Sequence, residues 1–185
     1  VSLVANPGSG CITAILGSLI ANSPWTPLDP VQPHERLNMI IEDTECKVLA
    51  VESELYELAM QLINGMDNAP EVVIIPRSTV YDISTLADSI LEKVDFESVP
   101  YVLYTSGTTG KPQGAMGVRR GLANHLDAKI RLLELTDKDV VIQNSPLTFD
   151  VSIWQILAPL SVGGVVLPVN RAIAADPDAL AKLAH

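Results

Sequence analysis

The sequence predicts an α/β fold with alternating strands and helices and a largely parallel sheet, and two observations carry that prediction. Short apolar runs of strand length alternate with longer stretches of helical period along the chain, the pattern of strands joined by helical crossovers. The 185 residues are 48% apolar with a positive mean hydropathy, enough to bury a core of ordinary domain size.

Taken in order, "VSLVAN" reads as a strand, and after a turn through Asn, Pro, Gly and Ser, "CITAILGSLIA" reads as a buried helix. The stretch "ANSPWTPLDPVQPHERL" sets Pro24, Pro27, Pro30 and Pro33 in a row of turns. Those prolines forbid a continuous helix, so it reads as a connection over the surface, with Pro33 opening the helix "HERLNMIIEDT". "KVLAV" follows as a strand, and "ESELYELAMQLING" as a helix whose acidic residues form a solvated face. "INGMDNAPE" is loop-like; "EVVIIP" is the next strand, "TLADSILEKV" a helix and "YVLYT" a strand. The chain continues with helix "LANHLDAKIRLLEL", strand "DVVIQN", helix "SIWQILAPLSVG", strand "GVVLPV" and helix "PDALAKLA". Internal repeats and low-complexity tracts are not seen.

Composition narrows the function classes. A net charge of −10 with 4% aromatic residues leaves no basic stripe with interleaved aromatics, so a nucleic-acid partner is not expected. An acidic chain still binds phosphate where local N–H groups and a lysine converge. Cys11 and Cys46 stand far apart without CxxC spacing, which fits buried core thiols of a reduced, cytoplasmic protein. The apolar start lacks a basic leading segment and is broken by Asn, Pro, Gly and Ser, so neither a signal peptide nor a membrane anchor is expected. His34, His125 and His185 stand singly, without the spacing of a metal site, and no protein-built metal site is expected. Arg119 and Arg120 read as surface residues rather than as contacts to phosphate or to a partner domain.

One stretch carries chemistry: "YTSGTTGKPQG" after an apolar strand. Gly107, Gly110 and Gly114 permit positive φ and close approach of backbone to a ligand, and successive N–H groups in such a stretch can point into one concavity as an anion nest. Thr105, Ser106, Thr108 and Thr109 add hydroxyl donors, and Lys111 adds charge. The group that fits is a set of phosphate oxygens. The Walker P-loop does not fit, because Thr105 stands where its first glycine is required and Pro112 where its magnesium-binding hydroxyl belongs. The bland alternative is a flexible turn between two strands.

These residues resemble the phosphate-loop signature of the adenylate-forming superfamily, which includes acyl-CoA synthetases, luciferases and the adenylation domains of nonribosomal peptide synthetases. The resemblance implies that Thr105, Ser106, Gly107, Thr108, Thr109, Gly110 and Lys111 form a loop holding the β- and γ-phosphates of ATP, with Mg2+ arriving on the nucleotide. Gln113 departs from the many members that carry lysine there, and Lys111 supplies the charge in its place.

A second constellation, "FDVSIWQILAPLSVGG", sets Asp150 at the start of an apolar helix with Trp154 four residues on, hence on the same face. Spacing alone leaves two readings open: an ammonium site beside an apolar pocket, or a helix-capping aspartate followed by a core tryptophan. The segment looks like the second signature of amino-acid-activating adenylation domains. That resemblance implies that Asp150 pairs with the substrate α-ammonium and that Val151 and Trp154 line the side-chain pocket. A small polar amino acid such as serine and larger substrates both remain compatible.

The early stretch "ILGSLIANSPWTPLDPVQPHERLNMIIEDTECKVLAV" is similar to the same family, with "ANSPW" replacing its usual Gly-rich lead. The resemblance therefore spans residues 1–185, as the partial N-terminal core of an adenylate-forming fold. It implies a segment of one AMP-binding adenylation domain, truncated at both ends. The family's Y-G-P-T-E-like segment, ribose-binding aspartate, hinge and C-terminal catalytic lysine are not in the sequence, so no complete catalytic set is expected and the segment alone is expected to be inactive. The implied reaction is amino-acid activation as an aminoacyl-adenylate with pyrophosphate release. Thioester loading onto the phosphopantetheine of a peptidyl carrier domain follows, with other synthetase domains as partners. The alternatives are an acyl- or aryl-CoA ligase of the same superfamily, or an inactive truncated remnant.

Overall fold

The computed structural model describes residues 1–75, 95–106 and 111–184. It divides into two compact units, Val1–Arg120 and Gly121–His185.

In the first unit, β1 (Ser2–Val4), β2 (Thr26–Leu28), β3 (Val48–Glu52) and β4 (Glu71–Ile75) form a parallel sheet in the order β2-β1-β3-β4. Leu3 is level with Pro27 on one side and Ala50 on the other, and Ala50 is level with Val73. Helices α1 (Ser9–Ile20), α2 (His34–Thr44) and α3 (Tyr56–Ile63) fall between consecutive strands, as parallel connections require. A short 3-10 turn, Ser53–Leu55, leads into α3. Each helix buries a stripe at helical period: Cys11, Ile15 and Ser18 in α1, Leu37, Ile40 and Ile41 in α2, and Ala59, Leu62 and Ile63 in α3. The α2 and α3 stripes meet Val4, Leu28, Leu49 and Val51 in one apolar cluster.

The proline-rich stretch differs from its surface expectation. Trp25, Thr26 and Leu28 are almost wholly buried, and Thr26–Leu28 is the strand β2. Proline is compatible with a strand at a sheet edge, where its missing N–H leaves no ladder bond broken, and β2 is the edge strand of this sheet. Pro33 stands at the cap position before α2 rather than inside it. The expected helix "TLADSILEKV" lies outside the described residues.

The first unit also holds an antiparallel hairpin, β5 (Val102–Ser106) paired with β6 (Pro112–Met116). Its base is tied in by Trp25, whose N–H donates to Pro100 O (3.1 Å) and whose carbonyl accepts from Val102 N (2.9 Å). The Trp25 and Tyr101 rings lie 5.9 Å apart. Arg119 donates to Ser98 Oγ, Asn22 Oδ1 and the carbonyl of Leu19, so its role is to tie segments of the first unit together. Arg120 is exposed and pairs with Glu97 at 2.6 Å.

The second unit begins within the first turn of α4 (Arg119–Leu133). It contains β7 (Val140–Gln143), α5 (Asp150–Ser161) and β8 (Val165–Pro168), a parallel β-α-β element with Val140 level with Val165. Two short helices follow, α6 (Arg171–Ala174), capped by Asn170, and α7 (Pro177–Leu183), capped by Asp176 with Pro177 in its first turn. The α5–β8 turn needs both its glycines. Gly163 has φ +80°, and a Cβ on Gly164 would lie 2.9 to 3.2 Å from the carbonyl oxygens of Asp139, Thr136 and Pro159. His34 and His125 are exposed, and His185 lies outside the described residues. Among the described residues, no cluster of three or more His, Cys, Asp or Glu side chains is arranged to hold a metal ion.

Candidate functional site

The hydroxyl-rich stretch is built on the hairpin. Thr105 and Ser106 are the last two residues of β5, level with Gln113 and Pro112, and Lys111 immediately precedes β6. All three are exposed. Thr105 Oγ1 donates weakly to Gln113 O at 3.4 Å. The remaining expected loop residues, Gly107, Thr108, Thr109 and Gly110, lie outside the described residues.

Gly114 corrects the sequence reading. It was expected to adopt special backbone conformations or to approach a ligand, yet it sits inside β6, and among the described glycines positive φ occurs at Gly65 and Gly163. Its requirement is cross-strand space. A Cβ there would lie 2.9 Å from Val102 Cγ1 and 3.2 Å from Tyr104 Cζ, so the Tyr104 ring occupies the volume that a side chain at 114 would need. Gly117 repeats the arrangement, its missing Cβ leaving room for Tyr101. Aromatic rings laid over strand glycines are an established device for holding register.

Tyr104 reaches further, donating from its hydroxyl to Asp43 Oδ2 at 2.5 Å, near the end of α2. Its ring packs against the apolar cluster of the first unit. Burial, then the Asp43 carboxylate, push the phenol well above its ordinary range, so it remains a protonated donor at neutral pH.

In the second unit the structure brings Asp150, Val151 and Trp154 together on one face of α5. Asp150 and Val151 are exposed and Trp154 is half-buried, whereas Ser152, Ile153 and residues 155–159 are buried. The three expected substrate residues are thus the outward stripe of an otherwise buried first half of the helix. Asp150 does not cap α5. Phe149 holds the cap position in extended conformation with no side-chain cap bond, and Asp150 lies in the first turn, where a negative charge is favoured by the helix dipole. Among the described residues no hydrogen bond or ion pair engages its carboxylate.

The approach to Asp150 is pinned by side chains that the sequence reading passed over. Gln155 accepts from Ser145 N (3.1 Å) and donates to Asn144 Oδ1 (2.8 Å). Ser152 Oγ donates to Phe149 O (2.7 Å) and Gln143 Nε2 donates to Ser145 O. A buried Gln in an apolar helix, five residues beyond the aspartate, was the available signal: buried polar groups need partners, and here the partner is the segment before the helix. Lys129 was also passed over. It is on α4, and its Nζ lies 5.2 Å from the centroid of the Trp154 ring.

The family model described as "AMP-binding enzyme" matches residues 1–185. The chain belongs to the AMP-binding enzyme family. As a family member it shares 30% identity with tyrocidine synthase 3 of Brevibacillus parabrevis over 100% of its own length and 3% of that protein's. A four-domain nonribosomal peptide synthetase, holo-AB3403, solved with AMP and glycine bound, superposes with a TM-score of 0.77 at 29% identity. That match covers 98% of this chain and 13% of the synthetase. A malonyl-CoA ligase solved with methylmalonyl-CoA and AMP is also similar, with a TM-score of 0.72 at 28% identity over 92% of this chain and 35% of the ligase. This chain is thus a member of the adenylate-forming ligases with the α/β architecture of these neighbours, and it spans a small part of the length of the relatives it matches.

Proposed function

We propose that this chain is the segment of an amino-acid-activating adenylation domain that supplies phosphate-binding groups from the β5–β6 hairpin and an ammonium-binding carboxylate from α5. In this reading the amino-acid carboxylate attacks the α-phosphorus of ATP and pyrophosphate leaves. The acyl group of the resulting aminoacyl-adenylate then passes to the phosphopantetheine thiol of a carrier domain. Thr105, Ser106 and Lys111 offer two hydroxyls and a cation to the phosphate oxygens, and magnesium is carried by the nucleotide. No protein nucleophile is needed, because positioning and charge stabilisation are what phosphate chemistry of this kind demands.

The observation that carries the amino-acid reading is Asp150: an exposed carboxylate without a protein partner among the described residues, held by a pinned helix start beside Val151 and Trp154. The similar synthetase crystallised with AMP and glycine supports it. The test is ATP–pyrophosphate exchange on the enzyme that carries this chain, across a panel of amino acids and simple carboxylic acids. Exchange is expected with an amino acid. In Asp150→Ala the KM for that amino acid should rise roughly 30-fold or more, about 2 kcal/mol of lost charge pairing. Unchanged amino-acid kinetics in that variant removes the basis for this branch.

A second reading, a CoA ligase of the same superfamily, is favoured by the likeness to malonyl-CoA ligase. Exchange with acids that lack an α-amine, and none with amino acids, selects it.

A further inference from the structure

We propose that Tyr104 is a positioning residue for Thr105, Ser106 and Lys111, locking the β5–β6 hairpin to α2 through Asp43 across the open face of Gly114. The inference rests on the reading that these three residues meet the phosphates of ATP.

Three observations converge on it. Tyr104 is level with Gly114, and the space its ring fills exists because that position has no Cβ. The ring's hydroxyl ends on Asp43 Oδ2 at 2.5 Å, joining the hairpin to a helix of the parallel-sheet layer. Its ring also packs against the core cluster of that layer. A two-stranded hairpin is marginal by itself, so such ties decide how firmly its end is held.

Register is what the arrangement protects. Successive side chains of a strand point to opposite faces, and a slip of one residue would exchange the faces of Thr105 and Ser106. The same slip would set Tyr104 against Gln113 or Ala115, whose Cβ atoms fill the volume the ring requires. Tyr104 thus opposes slippage with its ring and fixes the hairpin's attachment with its hydroxyl. As it directly precedes Thr105, both effects reach the hydroxyl pair.

The test uses the complete enzyme that carries this chain, with KM for ATP and for the amino acid measured separately by pyrophosphate exchange and the unfolding midpoint measured alongside. Tyr104→Phe keeps the ring and removes the donor. It is expected to raise the ATP KM about five-fold or more while the amino-acid KM stays within about two-fold. Asp43→Asn keeps an acceptor for the hydroxyl and is expected to behave as the parent. Gly114→Ala displaces the ring and should raise the ATP KM at least as much as Tyr104→Phe. Lys111→Ala is the control for the underlying reading. If it raises the ATP KM and Tyr104→Phe does not, positioning by Tyr104 is overturned and the phosphate reading stands. If Lys111→Ala leaves ATP kinetics untouched, the phosphate reading fails and the proposal falls with it. A Tyr104→Phe enzyme that only unfolds earlier, with both KM values unchanged, assigns the tyrosine a structural role and also overturns the proposal.

Discussion

Cys11 shows how burial sets the chemistry of a single side chain. It is almost wholly buried in α1, and burial, with a smaller contribution from the Glu52 carboxylate, pushes its thiol up to about 12. A thiolate is the reactive form, so Cys11 is expected to resist alkylation in the folded enzyme at about pH 8 and to react once denaturant is added. Peptide mass spectrometry after iodoacetamide treatment checks this, and ready labelling of the native protein would contradict the burial. The sign of the pH effect follows: a pKa raised by folding contributes stability that is fully present below the unfolded thiol value and is lost as pH rises toward about 12. Both cysteines were legible as core residues because a free thiol behaves as a small apolar group, and both are buried. Asp150 was legible only in part. Its type and spacing pointed to either a cap or an ammonium site, and the observation that removes the cap, Phe149 in the cap position, is a property of the folded helix start.

Among the elements, glycine supplies the sharpest contrast. Gly17 lies exposed in α1 with nothing within 4 Å of an added Cβ, so Gly17→Ala should stabilise the enzyme by about 0.5–1 kcal/mol through a less flexible unfolded chain. Gly164→Ala should cost about 1–3 kcal/mol, because its Cβ meets three backbone carbonyls that no rotamer change can move. Denaturant midpoints of the two variants should shift in opposite directions, and a shared direction would refute the local geometry. Helix and strand type were largely legible, since period and apolar runs are local properties of the sequence. The strand β2 was hidden because Pro27 stands at its centre with Pro24 and Pro30 close on either side, and what makes it a strand is a non-local partner, β1. The strand β6, "PQGAM", was hidden for the same reason: its pairing with β5 depends on two tyrosines and two glycines at mirrored spacings, a pattern visible only once the register is known.

At the scale of the molecule, the two compact units carry different parts of the proposed chemistry. Thr105, Ser106 and Lys111 belong to Val1–Arg120, and Asp150, Val151 and Trp154 to Gly121–His185. The alternation of elements announced the α/β class, but it gave no hint of this division, because chain order does not reveal which strands share a sheet. The division has a kinetic consequence. If the hairpin groups meet ATP and the α5 groups meet the amino acid, each substitution should act on its own substrate, and effects on two different substrates should combine additively. Lys111→Ala is expected to raise the ATP KM with the amino-acid KM unchanged, and Asp150→Ala the reverse. The double variant should show both single values together, within about 0.5 kcal/mol of the sum. Pyrophosphate exchange, with one substrate varied and the other saturating, measures all four enzymes. A rise in the ATP KM of Asp150→Ala would mean that the carboxylate does not serve the amino acid alone, and the assignment of one substrate to each unit would have to be abandoned.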